Sequence, residues 1–153
     1  YDNVLIVQTF SKSRSMAGMR IGYAMGNPEL IKAMNDVRFS YNSYPMTRLS
    51  VALGVAAIED EDYFRKTTGQ IVDTREWTKE RLTELGFSFG DSKTNFIFAK
   101  HATVDAEEIF AKLREKHIFV RHFNSERIKN YLRISIGTRE EMEKFIDELK
   151  CIL

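Results

Sequence analysis

Residues 9–26 read Thr-Phe-Ser-Lys-Ser-Arg-Ser-Met-Ala-Gly-Met-Arg-Ile-Gly-Tyr-Ala-Met-Gly. The apolar run Val4–Val7 comes shortly before this segment, and a second apolar run, Ile21–Met25, lies at its end. Serine, alanine and glycine between the two runs permit a tight turn and close approach of the backbone to a bound group. The pattern predicts two neighbouring strands joined by a loop, with Lys12 and Arg20 at the same end.

Lys12 and Arg20 are the chemically distinctive side chains of this segment. An amine at the end of a buried strand is a candidate nucleophile for imine formation, because burial and a nearby cation both disfavour its protonated form. Arg20 can hold a phosphate group through two parallel hydrogen bonds, and the Ser11 hydroxyl adds a donor. Together these groups suit pyridoxal 5′-phosphate (PLP). The alternative is that Lys12 has no special role and that Arg20 is a solvated or paired charge.

The same residues carry a family resemblance. Ser-Lys followed by Ala-Gly-Met-Arg-Ile-Gly-Tyr closely resembles the cofactor-lysine segment of the fold-type I PLP-dependent aminotransferases, and it is most similar to the histidinol-phosphate aminotransferase group. The resemblance implies that Lys12 is catalytic and binds PLP covalently, and that Ser11 and Arg20 hold the cofactor phosphate. Ser13, Arg14 and Ser15 depart from many members, and Arg14 is expected to add a cation near the phosphate site.

Composition limits the class of partner. The chain of 153 residues has 43% hydrophobic and 29% charged residues and a net charge of +1, which gives no reason to expect nucleic acid or a membrane as a partner. The single cysteine, Cys151, suits a reducing compartment, so we expect a cytoplasmic protein. The three histidines lack metal-ligand spacing, and we expect no metal site.

The first half of the chain predicts strands followed by helices. Residues 4–9 are apolar without alternation, which favours a strand buried on both faces of a sheet. The cap Asn27-Pro28-Glu29 predicts a helix that continues to about residue 38. Residues 46–58 are apolar on most sides, which predicts a buried helix. Residues 60–85 form a long helical pattern that Gly86 ends.

The second half predicts a compact α+β unit. Strand patterns occur at 87–89, 95–99, 118–123 and 131–136, and capping-box starts occur at Asp105 with Glu108 and at Thr138 with Glu141. With the resemblance, the predicted class is α/β: a fragment of the PLP-dependent transferase fold. Residues 1–62 would be the C-terminal part of the large, parallel-sheet PLP-binding domain. Residues 63–153 would be the small α+β C-terminal domain.

Two arginines interrupt apolar strand patterns in this second half. A charge in a strand costs desolvation unless it meets a partner, so an anionic ligand is one explanation for Arg121 and Arg133. The alternative is a solvent-facing arginine with an acidic neighbour. The segment from Tyr131 to Glu141 also resembles the C-terminal signature of the same family. It implies that Arg133 binds the substrate carboxylate, that Arg121 lies near its phosphate or carboxylate end, and that Asn95 lies near the site.

The resemblance implies transamination, with histidinol phosphate or imidazole acetol phosphate and glutamate or 2-oxoglutarate as substrates, in a homodimeric enzyme. It covers nearly all of this chain but only the C-terminal portion of the family's length. We therefore expect the chain to be inactive alone. Two alternatives remain: an enzyme resembling threonine-phosphate decarboxylase, or a non-catalytic fragment that binds anions or contacts another subunit.

Overall fold

The computed structural model describes all 153 residues, which form two compact units. Unit 1 is Tyr1–Lys66, and unit 2 is Thr67–Leu153. No helix in the structure combines the length and the apolar composition needed to cross a bilayer. Each unit positions its own set of candidate functional side chains.

Unit 1 is built on a two-stranded ribbon. Strand β1 (Leu5–Thr9) runs antiparallel to β2 (Gly22–Gly26), with Leu5 opposite Gly26 and Thr9 opposite Gly22. The predicted pairing of the two apolar runs is confirmed. The connection contains the one-turn helix α1 (Phe10–Ser13) and a 3-10 turn (Ala17–Met19).

Three helices follow, and local capping explains where they begin. They are α2 (Pro28–Tyr41), α3 (Arg48–Glu59) and α4 (Glu61–Glu84). The Asn27 side chain accepts a hydrogen bond from the Glu29 amide at 2.8 Å, which confirms the predicted start of α2. This helix ends three residues later than the sequence predicted. Gly86, with φ of +82°, follows the end of α4 as predicted.

Burial in unit 1 differs from the prediction. Every residue of β1 is exposed, and α3 buries only Ser50 and Gly54. The predictions of a buried β1 and a buried α3 are therefore wrong for this chain, because unit 1 has no layer that covers β1 or most of the surface of α3. The small core is Phe10 and Ile21 against α3, where a Cβ on Gly54 would lie 3.0 Å from Ile21 Cδ1.

Unit 2 contains a four-stranded antiparallel sheet in the order β3-β4-β6-β5. Its elements are β3 (Phe87–Phe89), β4 (Phe96–His101), α5 (Ala106–Glu115), β5 (Arg121–His122), β6 (Leu132–Ser135) and α6 (Arg139–Ile152). The capping box of Thr138 and Glu141 at the start of α6 is confirmed. Asp105 precedes α5 but makes no side-chain cap, so the predicted capping box of Asp105 and Glu108 is wrong.

One face of the unit 2 sheet carries the core. Ile97, Leu132 and Ile134 are almost fully buried there. The helices contribute the opposing layer with Leu82, Ile109, Leu113, Phe145, Ile146 and Leu149. Because side chains alternate along a strand, the residues between these positions lie on the other face of the sheet. That second face carries the candidate site of unit 2.

Candidate functional site

The ribbon of unit 1 brings three predicted site residues to one end. The last ladder pair is Thr9 with Gly22, and the Phe10 amide donates to the Ile21 carbonyl at 3.1 Å directly beyond it. Ser11 and Lys12 follow on α1, and Arg20 immediately precedes this point on the other side of the connection. The antiparallel register therefore holds an amine, a hydroxyl and a guanidinium at the same end.

Lys12 and Arg20 are exposed, and Ser11 is half-buried. Arg20 has the left-handed φ of 56°, and its guanidinium donates to the Ala17 carbonyl at 3.1 Å without an ion pair to any carboxylate. The expected burial of Lys12 is not found, because α1 continues an uncovered strand. The Ser11 amide donates to Thr9 Oγ1 at 3.3 Å, and the Ser11 hydroxyl makes no hydrogen bond within the chain.

Arg14 lies two residues beyond Lys12, and its side chain is engaged elsewhere. It donates to the Ala57 carbonyl at the end of α3. Its guanidinium also lies 3.5 Å from Glu61 Oε2 and 4.1 Å from the ring centroid of Phe64. Only 15% of the Arg14 side chain is exposed. The charge of Arg14 is therefore paired with Glu61, and the expectation that Arg14 adds a cation near the phosphate site stays a prediction.

In unit 2, Arg133 lies on β6 with the predicted site residue Arg121 beside it. Arg133 pairs with Phe98 of β4 on one side and with Arg121 of β5 on the other. Its neighbours along the strand, Leu132 and Ile134, are buried in the core. Arg133 consequently lies on the face of the sheet away from the core, directly opposite Arg121.

Both guanidinium groups pack on aromatic rings. Arg133 Cζ lies 4.7 Å from the ring centroid of Phe96, and Arg121 Cζ lies 5.5 Å from that of Phe123. Neither arginine forms an ion pair with a carboxylate, so the acidic neighbour of the alternative interpretation is absent. Like charges directly opposite on paired strands repel, and an anion bound between them would relieve that repulsion.

A cavity of about 620 Å³ opens on the same face. Its lining includes Arg133, Arg127, Phe96, Phe98 and Tyr131. The rings of Phe98 and Tyr131 stack with centroids 4.6 Å apart. Arg127 was not predicted from the sequence, because it lies in a polar loop without strand periodicity. The alternation in Phe96-Ile97-Phe98 does contain the signal for an aromatic outer face.

Asn95 directly precedes β4, next to this face. Its backbone carbonyl accepts a hydrogen bond from the Ile136 amide at 3.0 Å, which joins it to the end of β6. Its half-buried side chain does not line the cavity. The structure thus brings Arg133 and Arg127 together at the cavity, sets Arg121 beside Arg133, and leaves Asn95 at the margin.

An ionic cluster on α4 holds the loop that borders the cavity. Lys79 is only 8% exposed, and its ammonium lies 3.0 Å from Asp91 Oδ1, 2.9 Å from the Ser92 carbonyl and 3.1 Å from Glu76 Oε1. Arg75 donates to the Thr94 carbonyl at 3.1 Å. These contacts fix loop residues 91–94 against α4, and part of this loop also lines the cavity.

Acid unfolding of unit 2 tests this cluster. Hydrogen bonds from Lys93 and then Lys79 lower the pKa of Asp91 from 3.8 to about 2. Because the folded pKa lies below the unfolded one, the ion pairs stabilise the fold above about pH 4 and this contribution is lost as the pH falls toward 2. We expect Asp91→Asn to be less stable than the wild type at pH 6 and most of that difference to be lost at pH 2. Denaturant unfolding followed by the fluorescence of Trp77 measures both, and an equal difference at the two pH values would contradict the assignment.

The sequence is similar to a known protein family. Residues 1–149 match the model of the family described as aminotransferase class I and II. The chain belongs to this family. The match spans both units, so unit 1 with Lys12 and unit 2 with Arg133 are parts of one family sequence.

Individual relatives agree with the family assignment. The chain is 52% identical over all 153 residues to a histidinol-phosphate aminotransferase of Clostridium botulinum (strain Okra / Type B1), and it spans 43% of that relative's length. The structure of histidinol-phosphate aminotransferase from Sinorhizobium meliloti in complex with pyridoxal-5′-phosphate matches 99% of the chain, with 30% identity and a TM-score of 0.81, and 41% of that structure is covered. A decarboxylase from Sulfurospirillum multivorans matches the whole chain with 26% identity and a TM-score of 0.81, over 44% of its own length.

These comparisons support the predicted family and fold. The chain is mixed α/β and spans less than half the length of the relatives that it matches. The individual roles of Lys12, Ser11, Arg20, Arg121, Arg133 and Asn95 stay predictions.

Proposed function

We propose that this chain provides part of the active site of a PLP-dependent histidinol-phosphate aminotransferase that uses 2-oxoglutarate as the amino acceptor. The observation that carries the proposal is the 52% identity over the whole chain to a protein of that name. The geometry adds independent support, because an exposed amine, a hydroxyl and an arginine without a carboxylate partner lie at one end of the ribbon. A chain that spans 43% of its relative would not carry the complete reaction by itself.

The donor set at the end of the ribbon fits PLP. The Lys12 amine is exposed and can form a covalent bond to an aldehyde, and the Arg20 guanidinium is compensated by no carboxylate of the chain. The Ser11 hydroxyl is available as a further donor to a phosphate group. Ser11, Lys12 and Arg20 are therefore the residues that would hold the cofactor.

Each residue then has a distinct task. PLP, when bound, supplies an electron sink for the bonds to the substrate α-carbon. Lys12 Nζ would hold the cofactor before the substrate arrives and would afterwards carry a proton to and from that carbon. Ser11 and Arg20 would orient the group through its phosphate. Lys12 would be the catalytic residue because its amine alone would transfer this proton.

Unit 2 would supply the groups that recognise the substrate. We propose that Arg133 binds the substrate carboxylate and that Arg121 binds a second anionic group, with Asn95 near them. The support is that both guanidinium groups lie on the face away from the core and lack carboxylate partners. Glutamate, with two carboxylates, offers an anionic group to each arginine, and histidinol phosphate offers its single phosphate group.

A second candidate is a PLP-dependent decarboxylase that acts on a phosphorylated amine, like threonine-phosphate decarboxylase. The similarity to the Sulfurospirillum multivorans decarboxylase favours it, but at 26% identity that similarity is weaker than the 52% match. A third candidate is a fragment without catalytic activity that binds anions or contacts another subunit. Product analysis separates the first two, since only the aminotransferase transfers an amine to 2-oxoglutarate.

The wider context belongs to the same proposal. We propose that residues 1–62 are part of a large cofactor-binding domain, that residues 63–153 form a small domain, and that the enzyme is a cytoplasmic homodimer. The division into two compact units near residue 66 supports the domain assignment. Exposed apolar side chains on β1 and α3 support the presence of a further protein surface over unit 1.

The experiment is to add PLP to the purified chain, reduce with borohydride and map the adduct by peptide mass spectrometry. We expect a pyridoxyl group mainly on Lys12 and its complete loss from that peptide in Lys12→Arg. Lys32 is exposed and lies in the same unit, so its adduct provides an internal measure of non-specific labelling. Labelling spread equally over surface lysines would contradict the cofactor assignment for this chain.

A further inference from the structure

Lys12 and Arg14 share one short turn whose backbone is closely hydrogen bonded. The Arg14 and Met16 amides both donate to the Phe10 carbonyl, at 3.3 and 3.1 Å, and the Ser15 amide donates to the Lys12 carbonyl at 3.2 Å. Phe10 itself is buried against Ile21 and α3. Movement of the Arg14 backbone would therefore also move the Lys12 backbone.

The two side chains of this turn lie in different surroundings. Lys12 belongs to α1 and is exposed, whereas Arg14 directly follows α1, with φ of −117° and ψ of 14°, and its side chain is largely covered. A contact that fixes the Arg14 side chain therefore restrains the hydrogen-bonded backbone from which Lys12 projects.

Arg14 is fixed by groups on two helices. The Ala57 carbonyl belongs to the last turn of α3, where carbonyls lack partners within the helix and the helix dipole is negative, so a guanidinium is a favoured donor there. Glu61 lies in the first turn of α4, and Phe64 adds its ring face one turn later. The Arg14 side chain thus joins the Lys12 turn to the end of α3 and the start of α4.

We propose that Arg14 is a positioning residue that orients Lys12 for its bond to the cofactor. The inference rests on the proposed function, in which Lys12 binds PLP. Arg14 acts through the backbone of the turn and touches neither cofactor nor substrate. Lysine at this position would keep the charge, but a single ammonium cannot match the planar contacts to Ala57, Glu61 and Phe64 together.

The test compares wild type, Arg14→Ala and Arg14→Lys, with Arg48→Ala as a matched control. Arg48 is an exposed arginine of the same unit at the start of α3, without an ion pair. Labelling with PLP and borohydride is measured as the ratio of adduct on Lys12 to adduct on Lys32. We expect Arg14→Ala to lower that ratio about 10-fold, because a misplaced reactive group loses most of its proximity advantage. We expect Arg14→Lys to be intermediate and Arg48→Ala to equal the wild type.

Amide hydrogen exchange of Ser15 and Met16 supplies a readout without cofactor. We expect their exchange to accelerate in Arg14→Ala, while the amides of α6 remain unchanged. Unchanged exchange, or accelerated exchange with an unchanged labelling ratio, would overturn the positioning role and leave the proposed function standing. A wild-type chain without preference for Lys12 would overturn the proposed function and this inference with it. If Arg14→Ala does not fold, Arg14→Lys decides between the same outcomes.

Discussion

Replacing Arg133 by methionine is expected to weaken the binding of 2-oxoglutarate to the chain roughly 10- to 100-fold. This loss of affinity corresponds to the free energy of one charge-assisted hydrogen-bonded pair. Methionine keeps an unbranched side chain that can pack on Phe96 while the charge is removed. Because Arg133 has no carboxylate partner in the chain, its loss leaves no stranded charge in the fold. The effect should therefore fall on the ligand rather than on stability.

Three further variants test whether the loss of affinity is specific to Arg133. Arg133→Lys keeps the charge without the planar fork and should lose part of the affinity. Arg121→Met should also bind less tightly, since Arg121 lies directly opposite Arg133. Arg114→Met changes an exposed arginine of α5 and should bind like the wild type. Titration followed by NMR gives the affinities, and an equal loss in Arg114→Met would indicate that only the net charge matters.

Local signals in the sequence predicted much of the fold. The cap at Asn27, the capping box at Thr138 with Glu141 and the glycine at position 86 each depend on residues within a few positions. Such contacts form whatever else surrounds them, so the sequence predicted these helix starts and ends closely. Asp105 shows the limit, because a residue of the right type can precede a helix without capping it.

Burial was predicted less well, for a physical reason. An apolar pattern indicates which side chains gain from being covered, and it does not state what covers them. Residues of β1 and α3 carry that pattern and are nevertheless exposed in this chain, where unit 1 offers only Phe10 and Ile21 as a core. In unit 2 the covering elements lie within the chain, and the predicted strands and helices enclose a full core.

The candidate site shows the same division. The sequence predicted that Lys12 and Arg20 would lie at one end of two paired strands, because strand-loop-strand connectivity requires it. The direction of Arg14 depends on Ala57 of α3 and Glu61 of α4, which lie 43 and 47 positions further along the chain. Arg127 likewise reaches its cavity through a loop without periodicity. Contacts over such sequence distances leave no pattern in a single sequence.

Leu149→Ala and Leu53→Ala are expected to differ strongly in stability, although the chemical change is the same. Leu149 of α6 is fully buried, and its truncation should cost about 2–5 kcal/mol through lost transfer free energy and the cavity left behind. Leu53 of α3 is 41% exposed, so truncation there should cost about 1 kcal/mol or less. Both residues lie in helices, so the change in helix propensity is the same and burial alone distinguishes them.

Denaturant unfolding, followed by two spectroscopic signals, distinguishes the two variants. Trp77, the single tryptophan, packs against Arg139 in unit 2, so its fluorescence reports unfolding of that unit. Circular dichroism reports the helices of both units. We expect Leu149→Ala to shift both signals to lower denaturant concentration and Leu53→Ala to leave the Trp77 transition unchanged.

A loss of stability in Leu53→Ala as large as that in Leu149→Ala would contradict this expectation. It would mean that another surface covers the apolar face of α3 in solution, as in a self-associated chain. Repeating the measurement at several protein concentrations would then detect that association, because only an associated chain gains stability with concentration.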